Sequence, residues 1–236
     1  MKNDLPNAIT CLNLFSGCLA IYFAFHGNLV YAAYMVGIAA VLDFMDGMLA
    51  RLLKAYSEIG KQLDSLADMV SFGVVPGVIV FHLISISLAG ESTFLGLNPS
   101  VFPFIGFVIT IFSALRLAKF NIDTRQTTSF IGMPTPACSI FVSALPLILA
   151  NDAFGVSELI LNPYLLGALA LLLSYLLIAE IPLFALKFKN LTWKDNSVRF
   201  IFLIMSVALI ALFQFVAIPF VIALYILLSI LKPSYS

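Results

Sequence analysis

The chain has 236 residues, of which 62% are hydrophobic and only 10% charged, with a mean hydropathy of +1.09. A soluble chain runs near ~45–50% apolar and ~25% charged, so this composition excludes an ordinary soluble domain and points to a polytopic membrane protein. The formal net charge is zero, which suggests no nucleic-acid partner, and the long unbroken apolar runs favour helices over a barrel of alternating strands.

At roughly 20 residues per span, about eight transmembrane helices are expected, near 8–26, 29–55, 59–88, 101–120, 134–151, 162–186, 198–213 and 216–231. The fold class is therefore all-α, a polytopic integral membrane helical bundle. No repeat, low-complexity tract or linker interrupts 1–236, so a single membrane-embedded domain is expected, and the first apolar run leads into further spans rather than reading as a cleavable signal peptide. The connections near His26 to Asn28 and near Gln214 are short enough to make their flanking helices antiparallel neighbours. Pro76, Pro146, Pro182 and Pro219 are expected to kink their helices, and Gly73, Pro76 and Gly77 make the third helix the one most inclined to bend. Cys11, Cys18 and Cys138 show no CxxC spacing and read as small packing residues; His26 and His82 read as interfacial.

Orientation follows from the basic residues. With the N-terminus in the cytoplasm, Lys2, Arg51, Lys54, Lys61, Arg116, Lys119, Arg125, Lys187, Lys189, Lys194, Arg199 and Lys232, all 12 of them, fall on the cytoplasmic side. The opposite loops carry only Glu91, Asp152 and Glu158. An even number of spans returns the C-terminus to the cytoplasm as well.

Against this oily background the stretch from Asp43 to Asp68 holds four aspartates, Asp43, Asp46, Asp64 and Asp68. An ionised carboxylate at the centre of a membrane helix costs roughly 2.5–3.5 kcal/mol, so four would cost on the order of 10 kcal/mol, comparable to the ~5–15 kcal/mol net stability of a domain. On a helix turning about 100° per residue, Asp43, Asp46, Gly47 and Ala50 share one narrow stripe, and Gly60, Asp64 and Asp68 share another. Asp46 and Asp68 lie equally far from a turn at Ser57, about 16 Å along each helix, so an antiparallel hairpin brings the acids to similar depth in the cytoplasmic half of the bilayer.

Converging like charges need compensation, either protonation or a divalent cation. The ligand set is all carboxylate, which selects a hard ion, Mg²⁺, Mn²⁺ or Ca²⁺, over Zn²⁺. Gly47, Ala50 and Gly60 read either as clearance for a large ligand or as close helix packing. Arg51 is either a phosphate clamp or a snorkelling edge residue. Metal ions on acids, an arginine and a cavity open to the cytoplasm describe a phosphoryl-transfer site, in which one Asp takes the proton of an alcohol nucleophile.

The pattern Asp43-x-x-Asp46-Gly47-x-x-Ala50-Arg51, eight residues, then Gly60-x-x-x-Asp64-x-x-x-Asp68 resembles the complete signature of the CDP-alcohol phosphatidyltransferases. ITCLNLFSG, QLDSLADMVSFGVVPG, SALRLAKFNI and FIGMPTPA, the last two spanning about 113–137, resemble the phosphatidylserine synthase branch, and the resemblance covers about residues 6–140. It implies displacement of CMP from CDP-diacylglycerol by the hydroxyl of L-serine at the cytoplasmic face of the cell membrane. It implies that Asp43, Asp46, Asp64 and Asp68 hold Mg²⁺ or Mn²⁺, with Ca²⁺ as a structural or inhibitory occupant, and that Asp68 is also the catalytic base. Gly47, Ala50, Arg51 and Gly60 would bind the nucleotide part of CDP-diacylglycerol, and Asn13, Arg116, Lys119 and Asn121 would serve the serine or a phosphate. Lys119 departs from the pattern, which usually has Arg there, and lysine loses the bidentate geometry. In FIGMPTPA, Gly132, Pro134 and Pro136 either shape the entry to the fifth helix or form a plain turn. Family members are commonly homodimers embedded among membrane lipids. The competing readings are a sister transferase using glycerol 3-phosphate or an inositol phosphate, and an ion-coupled transporter whose buried acids bind the coupling ion.

Overall fold

The apolar runs form eight helical rods: α1 (Asp4–Phe25), α2 (Leu29–Leu52), α3 (Glu58–Ser87), α4 (Pro99–Ile122), α5 (Thr135–Asn151), α6 (Pro163–Ile178), α7 (Trp193–Phe213) and α8 (Ala217–Leu231). The computed structural model describes residues 4–55, 57–96, 98–123, 129–152, 154–184 and 192–231. Among the described residues, five segments are long and apolar enough to cross a membrane: α1, α2, α3, α4 and the continuous stretch Asn196–Leu231; α5 and α6 are apolar but shorter. Large apolar side chains such as Phe44, Leu52, Tyr175 and Leu212 stand more than half exposed on the outside of the bundle, as expected of a membrane protein whose solvent is lipid.

The rod at the centre is α3. In its apolar window 61% of residues are buried, against 33% in α1, α2 and α4. Ser57 opens it by accepting the Gly60 N–H at 3.0 Å, which satisfies one of the free donors of a helix start. At Met69–Val74 the rod widens into a π-helical turn before resuming as Val75–Ser87. Pro76 accounts for the irregularity, since it has no N–H to give and its ring crowds the carbonyl one turn back. Thr110 on α4 donates to the Gly73 carbonyl at 2.9 Å, tying the widened turn to α4. Just beyond, α3 and α4 touch through their backbones: a Cβ added at Gly106 would lie 2.7 Å from the Gly77 carbonyl and 2.8 Å from the Phe81 nitrogen. The bend expected in the third helix is thus a widened turn against α4.

The first two rods pack along their lengths, joined by a tight turn at Gly27, whose φ of +76° a residue with a side chain rarely adopts. The buried face of α1 carries Thr10, Asn13, Ser16, Gly17, Ala20 and Ala24, polar toward its start and small further on. The last two rods pack against each other across the turn at Gln214.

Two expectations need correction. The helix expected over 162–186 ends at Ile178, and Pro182 lies in a strand instead of kinking a helix. Strands β1 (Ser129–Ile131) and β2 (Pro182–Phe184) pair antiparallel, with Phe130 opposite Leu183, a three-residue pairing within a bundle that is otherwise helical, so the all-α class stands. Ile181 precedes a proline and is biased away from helix on that account, and Ala179 is already extended. Beside the sheet, the Gly132 N–H donates to the Ile181 carbonyl at 3.0 Å and the Met133 N–H to the Leu176 carbonyl at 2.9 Å, seating the entry to α5 on the end of α6. Of the basic residues used for orientation, Lys2, Arg125, Lys187, Lys189 and Lys232 lie outside the described residues, as does the side chain of Lys194.

Candidate active site

The antiparallel pair α2 and α3 brings its acidic stripes together. Carboxylate oxygens of Asp43, Asp64 and Asp68 all lie within 4.8 Å of one another. Oxygens from three acids at that separation fit a hard divalent cation, which takes oxygen ligands at ~2.0–2.6 Å. Asp46, the fourth acid, faces the same space but is held to one side, where Thr10 of α1 donates to its Oδ2 at 2.6 Å. The Thr10 hydroxyl also approaches the Pro6 carbonyl at 3.1 Å, so the shorter, charge-assisted contact dominates. Asn13, also on α1, directs Nδ2 at Asp68 Oδ1 over a long 3.5 Å.

Asp43, Asp46 and Asp64 form one wall of a cleft of about 780 Å³ enclosed by the start of α1, α2 and the start of α3; Asp68 adjoins Asp43 and Asp64 but is not part of its lining. Asp43, Asp46, Asp64, Gly47, Ala50, Arg51 and Gly60 all line it. The two glycines differ. A Cβ at Gly47 would meet only Arg51 Nη2, at 3.9 Å, so that position faces open space and is clearance. At Gly60 it would lie 3.0 Å from both Asn7 Oδ1 and Ser57 Oγ, so that glycine lets α1 and the cap of α3 approach closely. Arg51 folds back along α2, its Nε donating to the Gly47 carbonyl at 2.9 Å. That bond holds the guanidinium across the cleft floor, with its two terminal nitrogens left for a ligand.

The remaining candidates separate. Arg116 is buried on α4, with Nε donating to the Met133 carbonyl at 3.0 Å and its guanidinium carbon 5.2 Å from the centre of the Phe120 ring. It is within electrostatic range of Asp68 and of Tyr225 on α8. Lys119 is exposed and shares with Arg116, Asp123 and Glu180 a recess of only about 40 Å³, away from the large cleft. Asn121 turns to α3: Nδ2 donates to Ser65 Oγ at 2.9 Å, and its carbonyl accepts from Lys61 Nζ at 3.2 Å. It braces the end of α4 and does not line the cleft.

Sequence reasoning missed Thr10, Asn7 and Lys61, all of which line the cleft, and Tyr225. Thr10 and Asn13 are spaced three apart on one face of α1, a signal available in the pattern but silent about which helix that face meets.

Such a site defines a class, a membrane helical bundle with an all-oxygen acidic centre beside a roomy cleft. A family model described as CDP-alcohol phosphatidyltransferase matches residues 3–209. The chain is 36% identical over 169 residues to the CDP-diacylglycerol–serine O-phosphatidyltransferase of Bacillus subtilis, covering 68% of this chain and 88% of that one. It is 31% identical over 231 residues to the protein of the same name from Helicobacter pylori strain J99, covering 96% and 90%. An archaetidylserine synthase of Methanothermobacter thermautotrophicus is 30% identical over 142 residues, 59% of this chain and 56% of that one. The chain belongs to the CDP-alcohol phosphatidyltransferase family, whose members move a phosphatidyl group from a CDP-alcohol to an acceptor alcohol with the help of a divalent metal.

Proposed function

We propose that this protein transfers the phosphatidyl group of CDP-diacylglycerol to the hydroxyl of L-serine, giving phosphatidylserine and CMP at the cytoplasmic face of the cell membrane. The observation that carries the transfer chemistry is the convergence of Asp43, Asp64 and Asp68 within 4.8 Å, two of them, Asp43 and Asp64, at the wall of the cleft. The choice of serine is supported by the relatives of that name, one of them similar along nearly the whole chain.

In this reading Asp43, Asp46, Asp64 and Asp68 hold Mg²⁺ or Mn²⁺, which when bound would neutralise the pyrophosphate and stabilise the departing oxygen. Arg51 offers its free nitrogens to a phosphate, and Gly47 and Ala50 leave room for the nucleotide. Asp68 takes the proton of the serine hydroxyl. The serine oxygen bonds to the phosphorus that carries the diacylglycerol, the bond from that phosphorus to CMP breaks, and CMP leaves with the electron pair. Asn13 holds one oxygen of Asp68 and so orients the other. Arg116, buried and within electrostatic range of Asp68, is the cation for the serine carboxylate. Lys119 and Asn121 serve at the edge, where Asn121 steadies Lys61 beside the cleft.

The cytoplasmic orientation is supported by the basic residues Arg51, Lys54 and Lys61, which cluster where α2 passes into α3. A homodimer, implied by the family resemblance, belongs to the same proposal and is tested by the mass of the detergent-solubilised protein. The function is tested by incubating purified protein with CDP-diacylglycerol, Mg²⁺ or Mn²⁺ and a panel of acceptors. Phosphatidylserine should form from serine with release of CMP. CMP release with glycerol 3-phosphate or an inositol phosphate, and none with serine, would transfer the assignment to a sister enzyme.

A further inference from the structure

Immediately after Asp68, α3 leaves the α-helical pattern: Met69–Val74 form the widened turn, in which hydrogen bonds reach back five residues instead of four. The Val75 N–H accordingly donates to the Val70 carbonyl. The Ser71 carbonyl thereby loses Val75, its ordinary helical donor, and the next donor in the widened register would be Pro76, which has no N–H. Ser71 is 0% exposed, and a buried carbonyl needs a partner. Ser139 of α5, equally buried, supplies one by directing its Oγ at the Ser71 carbonyl over 3.4 Å.

The side chain of Ser71 is engaged as well. Its Oγ donates to the Asn13 carbonyl of α1 at 3.1 Å, and Asn13 in turn directs Nδ2 at Asp68 Oδ1. This approach depends on Gly17 of α1, where a Cβ would lie 2.5 Å from Ser71 Oγ and 3.0 Å from Ser71 Cα. From α4, Thr110 holds the Gly73 carbonyl at the other end of the turn. Contacts with α1, α4 and α5 thus converge on a single turn of α3.

That turn decides which way the acids face. One residue more in a helical turn rotates the part on one side of it by about 100° relative to the part on the other. The inner half of α3 is fixed at Gly77, whose carbonyl passes so close to α4 that a Cβ at Gly106 would lie 2.7 Å from it. The half bearing Asp64 and Asp68 takes up the rotation, and in the observed register these two acids meet Asp43. Closing the turn to a plain α-helix would swing both carboxylates away from α2. Resting on the role given to Asp68 above, we infer that Ser71 and Ser139 are positioning residues of the transfer reaction, which lock the widened turn and so aim Asp68 at the acidic centre. Neither lines the cleft, and neither belongs to the aspartate signature.

The test removes each hydroxyl and reads three quantities: the melting temperature in detergent, Mn²⁺ binding from the paramagnetic signal of the free ion, and turnover. Ser139→Ala and Ser71→Ala should each weaken Mn²⁺ binding about tenfold, the scale of losses at groups that orient metal ligands. At saturating Mn²⁺ each should lower kcat roughly tenfold or more through misplacement of Asp68, with the KM for CDP-diacylglycerol within about twofold. Ser139→Thr, which keeps the hydroxyl, should retain both Mn²⁺ binding and kcat. Ser143→Ala is the control: Ser143 is buried one turn further along the same face of α5, and its Oγ has no partner among the described residues. It should leave Mn²⁺ binding and kcat within about twofold of wild type, on the same hydrogen-bond scale. Three results would each overturn this inference alone: folded Ser139→Ala and Ser71→Ala proteins with wild-type Mn²⁺ affinity and kcat, a Ser143→Ala protein that loses as much, or a Ser139→Thr protein no better than Ser139→Ala. Undiminished turnover in Asp68→Asn would instead overturn the reading of Asp68 on which it rests.

Discussion

A leucine at position 47 separates clearance from packing beside the acids. The Cβ it adds meets only Arg51 Nη2 at 3.9 Å, an ordinary contact, whereas a Cβ at Gly77 would collide with Thr110 Oγ1 and press to 3.2 Å from the Gly106 carbonyl. Replacing a helical glycine removes a penalty of about 0.8–1 kcal/mol, so Gly47→Leu should hold or slightly raise stability. Gly77→Leu should lose about 1–3 kcal/mol or more through overpacking. The new side chain at 47 would project into the cleft between the aspartates and Arg51, where the pyrophosphate is proposed to lie. An obstruction costing about 3 kcal/mol there corresponds to roughly a hundredfold loss of turnover. Thermal denaturation in detergent and CMP release, measured on the same preparations, read the two effects separately. A Gly47→Leu protein that melts well below wild type, or one that releases CMP at the wild-type rate, would refute the reasoning.

Asp68→Asn should lower kcat by roughly 10²–10⁴-fold, the usual worth of a general base, while CMP still stabilises the protein; near-normal turnover would remove Asp68 from that role. Thr10→Val takes away the 2.6 Å donor to buried Asp46 and should raise the Mn²⁺ concentration for half-maximal activity by about tenfold or more, an effect absent if Asp46 is not a ligand. Gly132→Ala forces a side chain into the left-handed region at φ +77°, with its Cβ 2.6 Å from the Leu177 carbonyl. The strain, about 1–2 kcal/mol before the clash, should lower the melting temperature. It should also raise the KM for serine, because the Met133 carbonyl that holds Arg116 moves with it; unchanged values of both would mean the turn does not position the arginine.

The two acidic stripes were legible because helical periodicity alone puts Asp43, Asp46, Gly47 and Ala50 on one face and Gly60, Asp64 and Asp68 on another. Hairpin geometry then brought the faces together. What periodicity does not carry is the identity of the third wall. Thr10 and Asn13 are ordinary polar residues near the start of an apolar helix until α1 is seen to pack against both α2 and α3. The pair β1–β2 was illegible for a related reason. Three-residue strands about fifty positions apart leave no pattern, and the Ile181–Pro182 step, the one local sign, fits a kink in a helix equally well. Asn121 is ambiguous in sequence, because its place at the end of α4 fits equally a ligand contact and the bracing of Ser65 that it makes. Gly47 and Gly60 were indistinguishable as letters, and only their surroundings divide them into clearance and close approach.

The central claim is that an all-carboxylate centre promotes transfer to serine with a hard cation. Its most direct measurement follows labelled serine into phosphatidylserine in protein stripped with a chelator and then resupplied with single metals. The account predicts that product falls to the background, returns with Mg²⁺ or Mn²⁺, and does not return with either metal in Asp64→Asn. Phosphatidylserine formation that continues undiminished in the chelator, or that Asp64→Asn leaves intact, would contradict it.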